Sequence, residues 1–162
     1  MIRSASLILV VLVVVTGLAP IRADDFTIDL KAQAAKQDKS AEVSYPAPDR
    51  KGKPRAILKA DVNTSITVKW TVRNADEAAT VKDALVHFFV VKEEKPDQQD
   101  VPKLTKNVVI ESALTMDFKA RDKTEGEITF TVPNQGSYLL RLEIKGTAAK
   151  DEPFAALDLI VR

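Results

Sequence analysis

An all-β antiparallel sandwich is the fold class this sequence predicts, and three observations carry that expectation. After residue 54 apolar residues recur almost throughout at every second position, the period of a strand with one buried face. Turn signals ("DVN", "RNADE", "KARDKTEG", "PNQG" and "KGTAAKDEP") divide the pattern into short pieces. No long amphipathic helical pattern lies between those pieces, which favours antiparallel strands, about 7–9 of them.

The N-terminal stretch "MIRSASLILVVLVVVTGLAPIRADDF" stands apart from that pattern. Arg3 precedes an unbroken apolar run from Leu7 to Val15, and the small or turn-prone Gly17, Ala19 and Pro20 follow. Charge, apolar core and small-residue exit, in that order, predict a secretory signal peptide over residues 1–23. Cleavage is expected after Ala23, because Pro20 blocks a cut after Ala19. The alternative is an uncleaved anchor, for which the run is short against a span of about 20 residues. With no cysteine in the chain, a lipid-modified N-terminus is excluded, as are disulfides and thiolate metal sites.

Removing 23 of 162 residues leaves 139, the length of one domain with one core. Loss of Arg3 and Arg22 leaves 22 basic against 23 acidic residues, a net charge of −1 where the precursor has +1. Such mixed, near-neutral charge offers no footprint for nucleic acid or an anionic membrane surface.

Residues 24–54 read as an irregular N-terminal segment with one strand, "FTIDL". The polar "KAQAAKQDKSAE" that follows is either a helical turn or mobile chain, and "PAPDRKGKP" has the composition of a linker. Residues 55–162 read as the sandwich. Arg55 to Ala60 is a short strand. In "TSITVKWTVRN", Ile66, Val68, Trp70 and Val72 share one face, with Thr67, Lys69, Thr71 and Arg73 opposite. Ala84 to Lys92 is the next strand, and Lys92 to Lys106, with two prolines and many charges, reads as a solvated connection. Asn107 to Phe118 follows, with a break expected near Ser112. "GEITFTVP" puts Ile128, Phe130 and Val132 inward before Pro133 stops it. "SYLLRLEIKG" aligns Tyr138, Leu140, Leu142 and Ile144, and Phe154 to Val161 closes the chain.

The joint "NQGSYLLRL" carries a further expectation. Asn134 and Gly136 supply a tight turn, and Tyr138 stands at the start of the penultimate strand, two residues before Leu140. This resembles the tyrosine corner of the immunoglobulin-like superfold, and the resemblance reaches from about Arg55 to Arg162. More narrowly, "ITVKWTVRNADEA" followed by "PNQGSYLLRLEI" is similar to the cell-adhesion-related domain found in bacteria. The resemblance implies a structural Tyr138, whose hydroxyl turns back to the preceding corner. There is no cysteine pair, and the lone Trp70 lies one strand early, so antibody-type homology and family functional residues do not carry over.

Chemistry-bearing motifs are few. The single His87 sits in "ALVHFFVV" and cannot build a multi-histidine metal site; no "GxSxG" is present, and five glycines leave little room for a phosphate loop. The pairs Glu93–Glu94 and Asp24–Asp25 lie in charged segments, and "DVN" and "DKTEGE" lack the alternating ligands of a calcium loop. No catalytic, cofactor or metal residue is therefore expected, and an enzyme ranks third among the readings.

One feature is sharper. In Ala84 to Val91 both parities are apolar, with Val86, Phe88 and Val90 on one face and Leu85, Phe89 and Val91 beside His87 on the other. A sandwich strand needs only one buried face. Either residues 24–54 cover the second face, which is the favoured expectation, or it is a patch for a partner formed by His87, Phe89, Leu139 and Arg141. The expected function is an exported, non-enzymatic binding or structural module in the periplasm, at the cell surface or secreted, with a protein or envelope partner. The alternative is a periplasmic accessory or chaperone-like protein using an apolar strand face or sheet edge.

Overall fold

A computed structural model describes residues 26–35, 40–46, 54–98, 100–146 and 152–162. The signal peptide expected over residues 1–23 lies outside the described residues. Among the described residues nine strands run in chain order: β1 (Phe26–Ala34), β2 (Ser40–Tyr45), β3 (Ile57–Ala60), β4 (Ser65–Asn74), β5 (Val81–Glu93), β6 (Val108–Phe118), β7 (Lys123–Thr131), β8 (Gly136–Lys145) and β9 (Phe154–Val161). They form two sheets, β2-β1-β4-β7 and β3-β9-β8-β5-β6, packed face to face.

The arrangement is an immunoglobulin-like sandwich. β4, β5, β7, β8 and β9 take the places of strands B, C, E, F and G, and β6 that of C′. The tyrosine corner is present: Tyr138 Oη donates to the Asn134 carbonyl at 2.8 Å, and burial pushes the phenol's pKa up. Gly136 enables this joint at φ 150°, where a side chain is disfavoured. All sheet pairs are antiparallel except β3 with β9, which run parallel.

The main core fills the space between the sheets. Phe26, Ile28 and Leu30 of β1, Ile66, Val68 and Val72 of β4, and Phe130 of β7 face Val86, Phe88 and Val90 of β5, and Tyr138, Leu140 and Leu142 of β8. Phe26 meets Phe118 edge-on, with ring centroids 5.4 Å apart. Trp70 is half-buried and lies across the backbone of Gly126, the residue opposite it on β7. Asn74 is fully buried at the end of β4, where Nδ2 donates to the carbonyls of Ala79, Phe118 and Lys119 and Oδ1 accepts from the Asp76 amide. It thereby ties the β4–β5 and β6–β7 connections together.

Four expectations are corrected. The described residues of 24–54 hold two strands where one was expected, and both belong to the sandwich. β1 continues through the alanines, with Leu30, Ala32 and Ala34 buried, and pairs with β2 from Ile28↔Tyr45 to Gln33↔Ser40. Alanine favours helix and is poor in strands, so its small side chains hid the alternation. β6 does not break at Ser112, which pairs with Phe88; the register shifts of the β5–β6 ladder fall instead between the Val81 and Ala84 pairings and between the Val90 and Val91 pairings. A serine on an edge strand keeps its hydroxyl in water and has no reason to interrupt the ladder. β7 begins at Lys123, so the "KARDKTEG" turn shrinks to the residues before it, with Asp122 N donating to the Lys119 carbonyl. Finally, the charged connection after β5 is not simply solvated, as its place over the sheet shows.

Candidate functional site

The outward face of the five-stranded sheet holds the residues singled out from the sequence. Pairing of β5 with β8 sets Val91 against Leu139, Phe89 against Arg141 and His87 against Glu143. These side chains point away from the main core because Phe88 and Leu142, one residue along, point into it. His87, Phe89, Leu139 and Arg141 are thus brought together on one face.

That face is not open. Phe89, Val91, Leu139 and Ala156 form a second apolar cluster, each at most 1% exposed, with Leu104 and Phe154 packed on it. The cover comes from the β5–β6 connection, which contributes Leu104, and from the start of β9. The described strands of the segment 24–54, β1 and β2, belong to the opposite sheet. An intramolecular cover exists, and among the described residues it is supplied by Leu104 and Phe154.

Two ionic clusters flank the second core. At one end Arg55, ahead of β3, donates through Nη2 to Glu93 Oε1 at 2.7 Å, and its Nε lies 2.7 Å from Asp158 Oδ1. Asp97 joins from the β5–β6 connection: its amide donates to Asp158 Oδ2 at 2.8 Å, and its carboxylate accepts from the Arg55 amide at 3.2 Å. The Glu93 and Asp158 carboxylates are wholly buried. Burial pushes both above the usual carboxylate range, and the single guanidinium offsets this only in part.

At the other end His87 Nδ1 lies 3.0 Å from Glu143 Oε1 and Nε2 lies 2.9 Å from Glu111 Oε1. Each ring nitrogen thus faces a carboxylate oxygen at hydrogen-bond distance. Glu143 also accepts from Arg141 Nε at 2.7 Å and lies 2.8 Å from Lys145 Nζ. Burial opposes ionisation of Glu143, but the hydrogen bonds from Lys145 and His87 and the charge of Arg141 outweigh it and hold its pKa below the ordinary value. The Arg141 guanidinium stacks over Phe154, 3.8 Å from the ring centroid.

Sequence reasoning named His87 and Arg141 but missed Glu111, Glu143, Arg55 and Asp158. A legible signal existed for two of them: Glu143 in "LLRLEIK" and Asp158 in "FAALDLIV" are acids placed inside apolar strands. Such residues rarely go inside without a partner. Among the described residues no group of three or more His, Cys, Asp or Glu side chains is arranged to hold a metal ion. A hollow of about 770 Å³ at one end of the four-stranded sheet is lined by residues including Thr27, Asp29, Arg73, Arg121 and Lys123. Two of its cations are already engaged, Arg121 with Glu77 at 2.9 Å and Lys123 with Glu125.

No protein-family model matches the chain. No curated protein matches it either. Among solved structures it is similar to a CARDB domain from Pyrococcus furiosus, at 10% identity over 83% of this chain and 94% of that one, with a TM-score of 0.41. That is the cell-adhesion-related domain to which the sequence shows a resemblance. It is also similar to part of a Paenibacillus cycloisomaltooligosaccharide glucanotransferase complexed with cycloisomaltoheptaose, at 15% identity and a TM-score of 0.41. That match covers 64% of this chain and 12% of the enzyme. Likeness at this level carries no functional argument, and the fold assignment rests on the strands and the tyrosine corner. No helix among the described residues is long and apolar enough to cross a membrane.

Proposed function

We propose that this protein is an exported, non-enzymatic binding or structural module of the bacterial envelope or extracellular space, with a protein partner. The observation that carries the reading is the use made of its one histidine. Both ring nitrogens of His87 are held by carboxylates, and Glu143 is in turn held by Arg141 and Lys145, so these groups brace the sheet. A general base needs a nitrogen free to meet substrate. The proposed partner face is the rim of the second core, formed by half-buried Arg141 and partly exposed Lys145 on β8 and exposed Glu111 on β6, beside the buried Phe89 and Leu139.

The test uses the exported protein with a photo-crosslinking amino acid in place of Lys145. A discrete cross-linked envelope protein, together with a mature N-terminus at Asp24, is the expected result. Intact Met1 on the exported protein, or no cross-link in the envelope fraction, contradicts the reading. The second reading, an accessory protein that handles a partner through a sheet edge, is favoured by one observation: β6 is an exposed edge strand carrying apolar side chains.

A further inference from the structure

The two sheets have four edge strands, and three of them are guarded. β2 has six residues and β3 four, too short to template much pairing. β7 carries Lys123, Glu125 and Glu127 on its exposed face, with Gly126 beneath the Trp70 ring. β6 differs. It is 11 residues long, "VVIESALTMDF", with no lysine, arginine, proline or glycine. Residues 111–115 are exposed on both faces. Leu114 pairs with buried Val86 and so has core-facing parity, yet it is 54% exposed, because the opposite sheet ends at β7. Leu114 is the most exposed large apolar side chain among the described residues.

We propose that β6 pairs antiparallel with β6 of a second copy of this chain, about a two-fold axis at Ser112, fusing two five-stranded sheets into one. An axis perpendicular to the sheet keeps core-facing side chains opposite core-facing ones, so each register is defined by the residue that meets itself. An axis at Glu111 opposes two carboxylates, and one at Leu114 sets Glu111 against Asp117. Axes at Ala113 or Thr115 put Ser112 against Leu114 or Phe118. The Ser112 axis alone sets Leu114 against Ile110 and Glu111 against Ala113, with the two Ser112 hydroxyls facing each other. Apolar meets apolar and no like charges meet, so among axes at residues 111–115 this register is the self-complementary one. The interface is narrow, of the size class of transient association.

The chain has no cysteine, which permits a clean test on purified mature protein. Directly opposed residues in an antiparallel pair have Cα atoms about 4.5–5.5 Å apart, within disulfide range. Ser112→Cys should therefore give a disulfide-linked dimer under mild oxidation, while Glu111→Cys and Thr115→Cys stay largely monomeric. Wild type should sediment as a concentration-dependent dimer, and Leu114→Lys should lose the dimer while keeping its melting temperature and circular dichroism. A wild type that is monomeric up to about 1 mM overturns the proposal. So does cross-linking that is equal at all three positions, a dimer that survives Leu114→Lys, or purified β6 occupied by a different protein.

Discussion

His87 and Glu143 are joined by a 3.0 Å contact between Nδ1 and Oε1, on the covered face of the five-stranded sheet. Lys145 and Arg141 complete the shell around the same carboxylate. Glu143 is therefore held ionised by a set of donors that exists only in the fold.

Glu143→Gln should destabilise the protein at neutral pH by roughly 1.5–3 kcal/mol, the scale of hydrogen bonds to a charged group. The folded pKa lies below the unfolded one, so this contribution is fully present above the unfolded value, about 4.3, and is lost as pH falls through the folded value. Denaturant titrations of both proteins should differ at pH 7 and converge towards pH 3. A difference that persists undiminished in acid would show that charge is not the cause.

At the opposite end of the face the sign reverses. Burial raises the folded pKa of Glu93, so its contribution to stability declines as pH rises from the unfolded value through the folded one. Glu93→Gln carries no such penalty, although it gives up charge pairing with Arg55. The stability of wild type relative to this variant should fall between pH 4 and neutrality, measured by the same titrations. A relative stability that rises over that range contradicts the assignment.

Tyr138→Phe removes the bond to the Asn134 carbonyl and nothing else of the corner. The expected loss is roughly 0.5–1.5 kcal/mol, read by chemical denaturation, with partner cross-linking at position 145 unchanged. Selective loss of the cross-link in a folded protein would make Tyr138 part of a site.

Gly126→Ala is expected to destabilise by about 1–3 kcal/mol, as overpacking does. A Cβ built there falls 2.2 Å from Trp70, which must move. Tryptophan fluorescence should shift with the lost stability, and an unperturbed spectrum with unchanged melting would refute the close packing.

The sandwich was readable where one face of a strand is buried and the other wet. Ile66 to Val72 and Ile128 to Val132 alternate cleanly for that reason, and Tyr138 sits at a turn whose chemistry is local. Partners were less readable. Period two places Leu58 inward but says nothing of the parallel pairing of β3 with β9. Nor does it show that Arg55 meets Glu93 and Asp158, which lie far along the chain. The doubly apolar strand did announce a second buried face. Its cover went unseen because Leu104 is one apolar residue in a charged connection, where a single side chain has no period.

The central claim is that Phe89 and Leu139 form a second core sealed by the β5–β6 connection. Phe89→Ala tests it most directly, read by denaturant unfolding and by limited trypsin digestion at Lys103 and Lys106. The account predicts a loss of about 3–5 kcal/mol and early cleavage between β5 and β6, with β1 and β2 still protected. Unchanged stability with residues 94–107 as resistant as in wild type would contradict it.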